Sequence, residues 1–159
     1  MNVSRRWLEG FLRRPLEADD LVRRLATLGA PVDAVEPLHP GLEAIVVGHV
    51  ESVAPHPNAD RLRVCLVNDG GDERRHVVCG APNVTAGKKY PFARVGVTIP
   101  GGLTLERRKI RGEVSEGMLC SARELGLGQE HDGILELDTE AAPGTPFLEV
   151  LPVGDDRLV

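Results

Sequence analysis

Residues 107–111 read Arg-Arg-Lys-Ile-Arg, the densest run of cations in the chain. Arg61 and Arg63 stand two apart, and Arg74, Arg75, Lys88, Lys89 and Arg94 fill the stretch between. Such side chains neutralise phosphate, and each phosphate neutralised releases counterions, which gives affinity without sequence choice. Sixteen of the nineteen basic residues are Arg. The planar Arg fork suits bidentate contact to phosphate and base edges; a genomic codon bias would give the same excess. Residues 1–41 are neutral overall, residues 42–112 carry eleven bases against seven acids, and residues 113–159 carry two against eleven, within a net charge of −5. A basic middle in an acidic protein points to a confined anion-binding face, or to the solvated surface of a barrel.

No catalytic constellation accompanies these cations. The sequence has no G-x-S-x-G, no P-loop and no G-x-G-x-x-G after a strand. Cys65, Cys79 and Cys120 are odd in number and lack C-x-x-C spacing, which argues against a disulfide scaffold and a zinc ribbon. They read as reduced, partly buried thiols of a cytosolic protein. A pairing of Cys79 with His76 or His56 stays open, and no metal site is expected. The only aromatics, Trp7, Phe11, Tyr90, Phe92 and Phe147, make up 3% of the chain. The core must then be mainly aliphatic, and a surface paved with stacking platforms is excluded. Nucleic acid would be recognised by the shape and backbone of a folded RNA rather than by splayed bases. The longest aliphatic run, Ala44 to Val47, is far below the roughly 20 residues of a membrane helix. The N-terminus has no apolar signal region, so no membrane partner is expected and the expected location is cytoplasmic.

The elements that must position these residues follow from periodicity. Trp7 and Phe11, with Leu8 and Leu12, give one helical stripe over residues 4–12. A second helix over 16–28 has Glu17, Asp19 and Asp20 in its first turn, Leu21, Leu25 and Leu28 on one side, and Gly29 at its end. The two form a small helical hairpin that must dock on something. After the breakers Pro37 to Gly41 the helical period vanishes. Strands are expected over 42–53, 61–67, 75–79, 90–97 and 103–110, with Pro91 marking an edge or a strand start. A short irregular helical piece follows over 115–127, where Ser121 and Glu124 have capping-box spacing, and then a last strand over 133–137. Five short strands with frequent turns read as a small barrel, and the OB-fold is the natural choice. The fold class is thus α+β, mainly β: a five-stranded OB barrel over 41–150, with the hairpin of 1–40 packed against it. Residues 151–159 would open a further segment of a longer protein.

The motifs His56-Pro57-Asn58-Ala59-Asp60-Arg61-Leu62, Val78-Cys79-Gly80-Ala81-Pro82-Asn83-Val84, Ile99-Pro100-Gly101-Gly102, Ile110-Arg111-Gly112, Ser115-Glu116-Gly117-Met118-Leu119-Cys120-Ser121 and Glu124-Leu125-Gly126-Leu127 resemble the tRNA-binding OB domain. That domain occurs in bacterial phenylalanyl-tRNA synthetase beta subunits, methionyl-tRNA synthetases and free-standing tRNA-binding proteins. Val3-Ser4, Trp7-Leu8 and Leu28-Gly29 resemble the opening of the beta subunit. The resemblance implies a non-catalytic, tRNA-binding piece of that enzyme, partnered by tRNA and by the catalytic alpha subunit in an α2β2 assembly. ATP and Mg2+ would serve the parent enzyme and not this chain. An independent tRNA-binding or chaperone-like module, or a mainly structural domain, are the alternatives.

The resemblance places RNA contact at Ser115, Met118 and Ser121, whose other readings are helix caps for the serines and a core filler for Met118. It places contact at Asn58 and Asn83, which also suit turns, and at Arg61. With Arg63, Arg74, Arg75, Lys88, Lys89, Arg107, Arg108, Lys109 and Arg111 these complete the expected RNA-binding set.

Overall fold

A computed structural model describes residues 2–159. In chain order its elements are β1 (Val3–Ser4), α1 (Arg5–Leu12), α2 (Ala18–Thr27), β2 (Val35–Leu38), β3 (Val46–His56), β4 (Ala59–Asn68), β5 (Arg75–Cys79), β6 (Lys89–Arg94), β7 (Arg108–Ile110), β8 (Glu113–Ser115), β9 (Gly117–Leu119), α3 (Phe147–Val150) and β10 (Asp155–Leu158). The chain divides into two units, Gly41–Pro152 and residues 2–40 with Val153–Val159.

In the larger unit five antiparallel strands lie in the order β5-β4-β3-β6-β9. The right-handed twist of such a sheet curls its edges toward each other. Across the seam between the edges, Glu116 N–H donates to the His76 carbonyl at 2.8 Å and Val78 N–H donates to Ser115 Oγ at 3.1 Å. The result is a nearly closed five-stranded barrel of the expected OB type. Val46, Val50, Cys65, Val67, Val77 and Leu119 fill it, together with Tyr90 and Phe92. The core is aliphatic in number, but its three bulkiest fully buried side chains are Tyr90, Phe92 and Phe147, each worth about 1.5–3 kcal/mol by burial. Residues alternate in exposure along β4. Cys65 and Val67 are buried, whereas Arg61 and Arg63, on the same strand face, are exposed.

Four expectations need correction. Residues 103–110 do not supply the fifth barrel strand. Only Arg108–Ile110 forms a strand there, and it pairs with β8 in a separate two-stranded hairpin, while Thr104 makes a single bridge to Thr98. The turn of that hairpin puts Arg111 at φ 51° and Gly112 at φ 98°, the left-handed pair that matches the twist of its flanking strands. The fifth strand is β9, within the stretch expected to be helical; Gly117 to Leu119 pairs with Phe92 to Arg94. Residues 133–137 form a single bridge, Leu137 to Lys89, and not a strand. Pro91 lies inside the sheet, where β9 has just ended. The Pro91 carbonyl accepts from Cys120 N–H at 2.9 Å, and the Cys120 carbonyl takes Leu135 N–H at 3.0 Å, so no partner is left wanting the missing proline donor.

In the smaller unit, Ser4 caps α1 by accepting from Trp7 N–H at 2.9 Å, and Gly29, at φ 82°, follows α2 as expected. Glu17 is the N-cap of α2 and makes no side-chain cap bond. Leu21 is buried, whereas Leu28 is 80% exposed. This unit is more than a pair of helices. β10 lies between β1 and β2 in a three-stranded antiparallel sheet, and α1 packs on β10 and β1. Residues 155–158, expected to open a further segment, are the central strand here. Trp7 and Phe11 are 63% and 75% exposed, and their rings stack with centroids 5.9 Å apart.

Candidate nucleic-acid interface

The expected cations separate into two sets. In the first, carboxylates or carbonyls already hold the charge. Arg74 reaches Glu51 at 2.8 Å, Lys88 reaches Glu136 at 2.6 Å and Arg107 reaches Glu116 at 3.4 Å. Arg75 and Arg94 share the buried carboxylate of Asp69 at 3.4 and 2.8 Å. Lys89 Nζ donates to the carbonyls of Thr139 and Ala141 at 3.1 and 2.8 Å. Glu116 and Glu136 are thereby spent inside the barrel unit, which removes part of the negative charge of residues 113–159 from any approaching anion.

The second set is Arg61, Arg63, Arg108, Lys109 and Arg111. All five are exposed, and among the described residues none makes an ion pair with a carboxylate. Arg61 and Arg63 extend from the start of β4. Arg108 and Lys109 stand on β7, and Arg111 begins the turn after it. The β3–β4 turn and this hairpin tip are tied together: Asn58 Nδ2 donates to the Arg111 carbonyl at 3.0 Å, and His56 Nε2 lies 2.8 Å from the Ile110 carbonyl. A cationic hairpin tip thus adjoins the end of β4 that carries Arg61. Unpaired guanidinium and ammonium groups in this arrangement can contact successive phosphates.

The polar residues of the expected set hold the barrel together. Asn83 acts as a strand mimic, its Nδ2 donating to the Ile134 carbonyl at 2.7 Å and its Oδ1 accepting from Ile134 N–H at 2.9 Å. Ser115 is buried; it closes the seam to Val78 and donates to the Gly117 carbonyl at 3.2 Å. Ser121 is buried in the predicted capping box, with Glu124 Oε2 2.7 Å from Ser121 N and 2.9 Å from Ser121 Oγ. Met118 is half-buried on a cleft of about 630 Å3 between β5 and β9, beside Cys79, Pro82, Ile134 and, on the rim, Arg123 and His131. The barrel offers no stacking platform, since Tyr90, Phe92 and Phe147 are fully buried. Sequence reasoning weighed His56 only as a possible partner of Cys79 and left the hairpin unassigned; the signals were the His56 motif and the Arg111-Gly112 turn.

Residues 45–146 match the family model described as "Putative tRNA binding domain". The chain belongs to the tRNA binding domain family. It is 45% identical over 155 residues to the phenylalanine–tRNA ligase beta subunit of Bordetella bronchiseptica, covering 98% of this chain and 19% of that protein. It is 43% identical over 158 residues to the same subunit of Dickeya dadantii, covering 99% and 20%. The chain therefore spans about a fifth of the length of these curated relatives. Among solved structures it is similar to the C-terminal domain of Plasmodium vivax p43, at 24% identity, TM-score 0.49, covering 67% of this chain and 61% of that one.

Proposed function

We propose that the barrel binds tRNA by its phosphate backbone, through Arg61 and Arg63 of β4 and Arg108, Lys109 and Arg111 of the β7–β8 hairpin. The observation that carries this reading is the division of the cations in a tRNA-binding family member. Of the eleven basic residues within 42–112, five are exposed without a carboxylate partner, while Arg74, Arg75, Lys88, Lys89, Arg94 and Arg107 are engaged by carboxylates or carbonyls. Burial of the barrel's aromatics favours a folded RNA held by shape over a stacked single strand. By similarity to the beta subunits, the chain works as part of a cytoplasmic phenylalanine–tRNA ligase beside a catalytic alpha subunit, and its tRNA is the phenylalanine acceptor. No residue here is assigned to aminoacylation chemistry.

The test is tRNA binding by fluorescence anisotropy at a series of salt concentrations. Wild type binds weakly and loses affinity steeply with salt, with a slope of about −0.7 to −0.9 per phosphate engaged. Replacing the five free cations with Ala flattens that slope, whereas replacing Arg74 and Lys88 leaves it nearly intact. Salt-insensitive binding, or equal losses from the two sets, refutes the reading.

A further inference from the structure

Among the described residues His56 is the one buried histidine, and both of its ring nitrogens are engaged. Nδ1 accepts from the Asn58 backbone N–H at 3.0 Å, so Nδ1 carries no proton. Nε2 then carries it and donates to the Ile110 carbonyl at 2.8 Å. The ring is a rigid bridge from the β3–β4 turn to the last residue of β7.

The hairpin needs that bridge. Its two strands are three residues each and form a sheet of their own, too small to hold a direction unaided. At its base Ser115 and Glu116 fasten it to β5. At its tip the fastenings to the barrel are His56 to Ile110 and Asn58 to Arg111. Between base and tip stand Arg108 and Lys109, and Arg111 follows at the turn. Loss of the tip bonds leaves these cations present but no longer fixed against the end of β4.

We propose that His56 is a positioning residue for nucleic-acid binding: its imidazole fixes the Arg108-Lys109-Arg111 hairpin in line with Arg61, so that the two elements meet one phosphate backbone together. This rests on the tRNA-binding reading above. An imidazole suits the task because it presents one acceptor and one donor on a ring without internal freedom; a glutamine amide also carries both kinds of group, but with different spacing and on a flexible stem.

The test compares tRNA binding across a salt series for wild type, His56→Ala, His56→Gln and Arg108→Ala/Lys109→Ala/Arg111→Ala, with and without His56→Ala. With three cations freed from their register, the salt slope of His56→Ala becomes shallower by about 2. His56→Gln, which keeps a donor for the Ile110 carbonyl, falls between it and wild type. His56→Ala adds nothing to the triple variant, because the hairpin then has no charge to position. Should His56→Ala not fold, Asn58→Ala carries the test by removing the other tip bond, with a smaller change of slope in the same direction. An unchanged slope in a folded His56 variant, or further weakening of the triple variant, overturns the inference while tRNA binding stands. Absence of salt-dependent binding by wild type refutes the tRNA reading itself and removes the basis of this one.

Discussion

Asp69 and Arg94 are joined twice: Arg94 Nε donates to the Asp69 carboxylate at 2.8 Å, and Arg94 Nη2 donates to the Asp69 backbone carbonyl at 2.5 Å. The carboxylate side chain is only 1% exposed, and Gly71 N–H adds a third donor at 3.2 Å. Burial by itself would raise the pKa of Asp69. The bond from Arg94, the Gly71 N–H and the charge of Arg75 outweigh it and hold the group below the ordinary carboxylate range. A group whose folded-state pKa lies below its unfolded value contributes fully above the unfolded value, about 3.9, and loses that contribution as pH falls through the folded one. Asp69→Ala should cost about 2–4 kcal/mol at neutral pH. Asp69→Asn should also lose less stability than wild type on acidification. Urea midpoints between pH 7 and pH 3 check both, and parallel acid limbs would contradict the assignment.

Gly117 opens β9 at φ 145°, and a Cβ placed there would lie 2.4 Å from Phe92 Cζ and 2.7 Å from the Ala93 carbonyl. The Phe92 ring occupies the space a side chain would need. Gly117→Ala therefore combines backbone strain with overpacking against a fully buried ring, for a loss of about 2–4 kcal/mol. Chemical denaturation measures it, and a loss below about 0.5 kcal/mol would contradict the packing described.

Ser115 gives Val78 N–H its partner across the barrel seam. Ser115→Ala leaves that half-buried donor without one, at a cost of about 1–2 kcal/mol. Hydrogen exchange should localise the effect, with the Val78 amide exchanging faster and the Cys65 amide, deep in β4, unchanged up to global opening. Equal acceleration at both would mean that Ser115 does not act at the seam.

All three thiols are free and buried. Burial pushes Cys65 and Cys120 up to about 12, and raises Cys79 as well. The thiolate is the reactive form. Native protein should therefore react with Ellman reagent only as fast as it opens, and all three groups should titrate together in urea. Rapid labelling of one cysteine in the native state would refute this.

The barrel was legible where one strand face is buried. The period of two in β4 set Arg61, Arg63, Cys65 and Val67 on one strand face, but that Cys65 and Val67 on that face are buried, and not Leu62, Val64 and Leu66, came from the structure. The bounds of β5 could be read directly between its Gly-rich and Pro-bearing turns. Legibility failed where strands are short. β9 has three residues, one a glycine, and the capping box at Ser121 drew the helical reading back over it. Leu103 to Ile110 has strand-like composition, yet its pairing depends on the Arg111-Gly112 turn and not on composition. The cations were all visible in the sequence, but which are spent was not. Arg74 meets Glu51 across 23 positions and Lys88 meets Glu136 across 48, and such encounters are set by topology.

The place of β10 bears on the order in which the chain takes shape. β1 and β2 do not pair with each other; both pair with β10, which is translated after the whole barrel. Ser4 bonds Asp155, and Arg5 bonds Asp156 at 2.7 Å, across 151 positions. The barrel closes through contacts wholly inside Gly41–Pro152. During synthesis it can be complete while residues 2–40 still wait for their central strand. Contacts of such long sequence separation form late and leave the waiting partner open to aggregation, so the yield of the smaller folded unit should depend more on Asp155–Leu158 than the size of that strand suggests.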